Sequence, residues 1–141
     1  MAPQPAVQLF ASPNITWVRL AFDQNMHPFV TFVDQSGSRY WWFDPTVPGQ
    51  VFATLPVGSS RASCTMDDKR PLSTQLGTND IILCYINVGN NLVYRQERDR
   101  YNTEYVLLAN VNLLISAPFV GRIGMNEKLR LQIEIRGALY Q

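Results

Sequence analysis

The chain has 141 residues, of which 46% are hydrophobic, 16% charged and 11% aromatic. One domain with its own core is expected at this length, and a charged fraction below the usual quarter leaves less surface for free water than most monomers have. With 12 basic residues against 11 acidic ones and a net charge of +1, the chain lacks the basic excess that phosphate-dominated nucleic-acid binding requires.

Residues 1–14 hold three prolines and read as an extended arm, with Val7, Leu9 and Phe10 as its apolar anchor. Such an arm is either frayed or docked on a partner. The segment has no basic stretch followed by an apolar one, so no signal peptide is expected. No apolar run reaches the roughly 18 residues that span a bilayer. The expectation is a soluble protein made in a cytoplasm, with a single domain over residues 15–141.

From there the chain reads as strands. Residues 18–22, 29–33, 39–43 and 50–55 are rich in β-branched and aromatic side chains and are bounded by turn residues. Gly37 marks a hairpin loop, and Pro45, Pro48 and Gly49 separate the third and fourth strands. The pattern then recurs over 62–67, 80–87 and 89–95, and in part over 122–126 and 129–136. Asp23 corresponds to Asp67 and Asn126, and Gly37 to Gly89, where a positive φ is the expected reason for glycine. A period of about 20–50 residues marks one supersecondary unit that cannot bury its apolar face alone. Two and a half such units are too few to close a ring. The second copy differs by an insertion at 68–79, polar and punctuated by Pro71 and Gly77, which reads as a loop projecting from the body. Residues 107–115 come closest to a helix, but Asn110, Asn112 and Pro118 favour a strand, a turn and a further strand. The fold class is therefore all-β, built of antiparallel blade-like sheets, as an incomplete β-propeller or a β-sandwich with little or no helix.

Candidate chemistry is sparse. His27 stands before Pro28 with no nucleophile motif and reads as a turn histidine. Asp23, Asp34, Asp44, Asp67, Asp80 and Asp99 all lie at strand ends; two of them could serve glycan hydrolysis, but their recurrence from copy to copy is what turn-capping acids show. Cys64 and Cys84 lie in consecutive strands, where a cross-strand meeting is geometrically open, although cytosolic synthesis favours reduced thiols. No metal-ligand spacing or phosphate-cradling loop is present, so no cofactor is expected. The run Tyr40-Trp41-Trp42-Phe43 sends large rings to both faces of one strand. Core packing, a protein interface and a sugar-stacking platform all remain open for it. In 129–136 the alternation is plain: Leu129, Leu131, Ile133 and Ile135 share one face, and Arg130, Gln132, Glu134 and Arg136 the other.

The strand-turn-strand units, with an acid after the first strand and an aromatic third strand, resemble blades of a β-propeller. A more specific likeness lies in Asp67-Asp68-Lys69-Arg70, in Asp80-Ile81-Ile82-Leu83-Cys84-Tyr85, in residues 92–101 and 104–108, and in Gly124-Met125-Asn126 followed by Leu129-Arg130-Leu131-Gln132. Over roughly 15–136 the chain resembles small structural virion proteins of the neck and tail of tailed bacteriophages. That resemblance implies a structural, non-enzymatic role in a virion assembled in the host bacterial cytoplasm, with other tail proteins and copies of the chain as partners. It transfers no catalytic residue. The expected contact residues are Phe10, Trp41, Trp42, Lys69, Arg70, Leu72, Arg95 and Arg98. The rival expectation is a carbohydrate-binding module, closed by oligomerisation, in which Trp41 or Trp42 stacks on a host glycan.

Overall fold

In the computed structural model, residues 6, 8–23, 25–44, 50–67, 80–111, 118–125 and 128–135 are described. Alternating side chains and turn residues produce ten strands among them. The first four, β1 (Trp17–Phe22), β2 (Pro28–Asp34), β3 (Gly37–Phe43) and β4 (Gln50–Thr54), form an antiparallel sheet in sequence order. The next four, β5 (Ser63–Asp67), β6 (Asp80–Ile86), β7 (Leu92–Gln96) and β8 (Tyr105–Leu108), repeat that order in a second sheet. A ribbon of β9 (Pro118–Met125) and β10 (Lys128–Ile135) follows. The chain is all-β, as its sequence led us to expect, with two blade-like four-stranded meanders and no closed barrel. Its helical content among the described residues is one 3-10 turn, Glu97–Asp99.

The turns are closed by the acids and amides that border the strands. Asp23 Oδ1 accepts the backbone N–H groups of Asn25 (2.8 Å) and His27 (2.7 Å). Asp34 Oδ1 accepts that of Ser36 at 2.7 Å, and Gly37 follows with φ +101°. In the second sheet Asn87 replaces Asp34, its Oδ1 accepting from Gly89 (3.0 Å) and Asn91 (3.1 Å). The expected positive φ at Gly89 is not what the loop uses: Asn90 carries it, at 57°. Asparagine tolerates that region because its short polar side chain bonds locally. A Cβ on Gly89 would instead come within 3.2–3.3 Å of the Asn91 and Asn87 side chains, so glycine serves close approach there.

The two sheets stack face to face. The first contributes Ala21, Phe29, Tyr40 and Trp42, and the second contributes Cys64, Ile81, Leu83, Tyr85 and Val93. Period-2 alternation explains this set, because residues opposed in register share a face: Phe29 opposes Trp42, and Cys64 opposes Leu83. Polar bonds stitch the seam. Thr31 Oγ1 and Trp17 Nε1 both donate to the Ala62 carbonyl, at 2.9 and 3.1 Å. Tyr101 fills the space between the sheets. The 3-10 turn ends on two left-handed residues, Arg100 (φ 59°) and Tyr101 (φ 60°), a conformation that costs about 1–3 kcal/mol at each non-glycine position. That bend throws the Tyr101 ring against Phe29 (4.9 Å), Tyr40 (5.4 Å) and Trp42 (5.2 Å), where 1% of it is exposed.

One step relates successive units. Strand β5 lies against β1 and β2, and β9 lies against β5 and β6. The first strands of the two sheets and of the ribbon therefore follow one another along the molecule, as inner strands do in blade arrays.

Candidate functional site

Three places have the sequence features of a site, and in each the side chains are engaged within the chain itself. The first is the β1–β2 turn, where His27 Nδ1 lies 2.9 Å from Asp23 Oδ2 and the imidazole stacks on Phe43 at 4.5 Å. A His–Asp pair can orient a general base, but it needs a nucleophile and room for a substrate. The adjoining cleft measures about 10 Å³, enough for a single water, and no Ser, Thr, Cys or Lys is among its described lining residues. With Asp23 Oδ1 already committed to two backbone N–H groups, the pair serves as the clasp of a tight turn.

The second place is the polar cluster around Arg95. Arg95 Nε donates to the Tyr85 hydroxyl at 2.8 Å, Nη1 to the Tyr101 carbonyl at 2.9 Å and Nη2 to Glu104 Oε1 at 3.2 Å. Tyr85 in turn donates to Glu104 Oε1, and Asn87 Nδ2 to Oε2 at 3.2 Å. Burial by itself would raise the Glu104 pKa, but the bonds from Tyr85, Asn87 and Arg95 outweigh it and hold the carboxyl below the usual range. Burial, with the Glu104 carboxylate beside it, pushes the Tyr85 phenol up. These donors and acceptors satisfy one another, so the cluster pins the segment after β7 onto the sheet. Asp34 is arranged similarly: burial raises it, while Ser12, the Ser36 N–H and Arg39 together lower it.

The third place is the aromatic strand. Trp41 and Trp42 are 1% and 5% exposed. Trp42 belongs to the inter-sheet core. Trp41 lies on the opposite face with Val30 and Phe32, under Leu9 and Phe10. The Phe10 ring stands 4.9 Å from Phe32 and 5.8 Å from Trp41 and meets Phe52 edge-on at 5.4 Å. Ser12 Oγ donates to Asp34 Oδ2 at 2.6 Å and fixes the same segment. The N-terminal arm thus docks on its own sheet at Leu9 and Phe10.

Of the residues expected to make contacts, Trp41 and Trp42 are enclosed, Phe10 is half-buried and Arg95 is held in its network. Arg98 is exposed within the 3-10 turn. Lys69, Arg70 and Leu72 lie outside the described residues. Of the strand-end acids, Asp23 and Asp34 cap turns, whereas Asp44 does something else: buried, it pairs with Arg100 Nη2 at 2.5 Å. Asp99 Oδ2 accepts from the Tyr105 hydroxyl at 3.1 Å. The two cysteines cannot meet. Cys64 opposes Leu83 and Cys84 opposes Ser63, which places their thiols on opposite faces of the sheet. Both are free, and burial pushes each up to about 12.

The exposed apolar surface lies elsewhere. On β1, Val18, Leu20 and Phe22 point away from the inter-sheet core and are 50%, 53% and 41% exposed. On the edge strand β8, Val106, Leu107 and Leu108 are exposed. Sequence reasoning missed the β1 row, although its signal was available: alternate positions of the strand, Val18, Leu20 and Phe22, are all apolar. Among the described residues no group of three or more His, Cys, Asp or Glu could hold a metal ion. No helix among them is long and apolar enough to cross a membrane. Comparison with protein-family models, characterised proteins and solved structures returned no match.

Proposed function

We propose that this chain is a non-enzymatic structural subunit of a tailed-bacteriophage particle, at the neck or tail, which assembles with other virion proteins and with copies of itself. The observation that carries the assembly role is the exposed Val18, Leu20 and Phe22 row, placed where the second unit buries its equivalents. Contiguous exposed apolar surface of this kind marks interaction sites. The particle itself is supported by the likeness of residues 15–136 to small neck and tail proteins. The turn-clasping role of Asp23 and His27 and the mutually bonded Arg95 cluster fit a scaffold. A sugar platform on Trp41 or Trp42 would need an open indole face, and both rings are enclosed within this chain. Mass spectrometry of purified mature particles, followed by reconstruction of the neck, tests the proposal. The chain is expected there at fixed stoichiometry, and its absence from particles overturns the reading.

A further inference from the structure

In register, Leu20 opposes Val30 and Cys64 opposes Leu83, so the β1 row in the first sheet and Cys64 and Met66 in the second occupy equivalent positions. In the second sheet that face is covered by the first: Cys64 is 6% exposed and Leu83 fully buried. In the first sheet, among the described residues, Leu9 and Phe10 cover the β2–β3 side of the same face, while Val18, Leu20 and Phe22 of β1 are exposed. Among the described residues, the first sheet therefore presents an open apolar row at the positions that the second sheet buries in the seam.

Among the described residues, the unit that follows the second sheet is a ribbon of two strands, where the two sheets before it have four each. Matching Asn126 to Asp23 and Asp67 makes Gly124 the counterpart of Ala21, the β1 residue that faces the following unit. Leu129 opposes Gly124 in register, and alternation carries Leu131, Ile133 and Ile135 onto the face they share. By register, this row takes the positions that in the first sheet meet the next unit.

We infer that the occupant of the β1 face is a second copy of this chain, whose β9–β10 ribbon repeats there the step that already relates one unit to the next. The inference rests on the assembly reading and names its geometry. The contact is head-to-tail, since two different patches meet, and such contacts build rings where the rotation closes and filaments where it does not. The seam between the two sheets is the internal precedent.

The experiment uses the full chain and two variants, Leu20→Lys at the opening face and Leu131→Lys at the ribbon, followed by native mass spectrometry and sedimentation velocity. Wild-type protein is expected to form multimers at micromolar concentration. Each variant alone is expected to weaken self-association at least tenfold. Mixed together, the two variants each retain one intact face, so they should form one-to-one heterodimers that grow no further. A wild-type chain that stays monomeric overturns the inference, as do variants that still assemble or a mixture that stays monomeric. Unchanged thermal unfolding of Leu20→Lys separates lost assembly from lost folding. A chain present in mature particles yet monomeric in solution sinks this geometry alone and leaves the virion reading standing.

Discussion

The two four-stranded sheets share an antiparallel strand order that follows the sequence but bury different faces. In the second sheet, Leu83 and Tyr85 on one face and Cys84 and Ile86 on the other are all enclosed. In the first sheet, the face toward its neighbour is closed while the far face runs from the enclosed Trp41 to the open Leu20. Identical topology thus yields different surfaces, because a face is buried only when the next element in the stack reaches it. The difference leaves the exposed apolar row on the far face of the first sheet rather than at any special motif.

The largest test of this contrast is the same exchange made at two places. Leu83→Ala empties a fully buried position between the sheets and is expected to cost about 2–5 kcal/mol in urea-induced unfolding. A cost below that of an exposed site would mean that the sheets do not stack. The thiols test both faces of the second sheet at once. Each is pushed from 9.0 up to about 12, so at pH 8 the thiolate fraction falls about a thousandfold, which slows disulfide-exchange labelling. Both are expected to label only under denaturing conditions. Fast labelling of Cys84 in the native protein would show that the far face is open, and the contrast between the sheets would fail.

Glu104 probes what holds the second sheet to the segment that supplies Tyr101. Replacing its charged acceptor by an amide in Glu104→Gln is expected to cost about 1 kcal/mol near neutral pH. Because the folded pKa lies below the ordinary value of 4.5, the folded state binds fewer protons than the unfolded one. This stabilisation is complete above that value and is lost as pH falls through the lowered folded pKa. The variant should show a shallower decline in unfolding free energy below pH 4.5, and parallel curves would remove the carboxylate from the account. The smallest effect is expected at the open face: Leu20→Ala, studied in dilute monomer, should change stability by less than about 0.5 kcal/mol. A larger cost would mean that the chain covers this face itself.

Much of the fold was legible because its signals are local. Alternation over residues 29–33 and 39–43, glycine at position 37 and the prolines at 45 and 48 specify strands and breaks within a few residues, and β2 and β3 form where expected. The turn acids at positions 23 and 34 are local as well, since an Asx side chain bonds a backbone two to four residues on. Gly89 misled because a tight loop can need glycine either for φ or for space. The Arg95–Tyr85–Glu104 cluster was not legible, since its members come from β7, β6 and the following segment and meet only through register.

Sequence alone determined the all-β class, the succession of units and the pairs of residues that share a face, all consequences of period-2 alternation and turn chemistry. Tertiary structure decided which of those faces are covered. Trp41 and Leu20 are both apolar and lie on the same face of one sheet, yet Phe10 reaches the tryptophan and leaves the leucine half exposed. Burial depends on what packs from elsewhere in the chain, and no local pattern encodes where that packing stops.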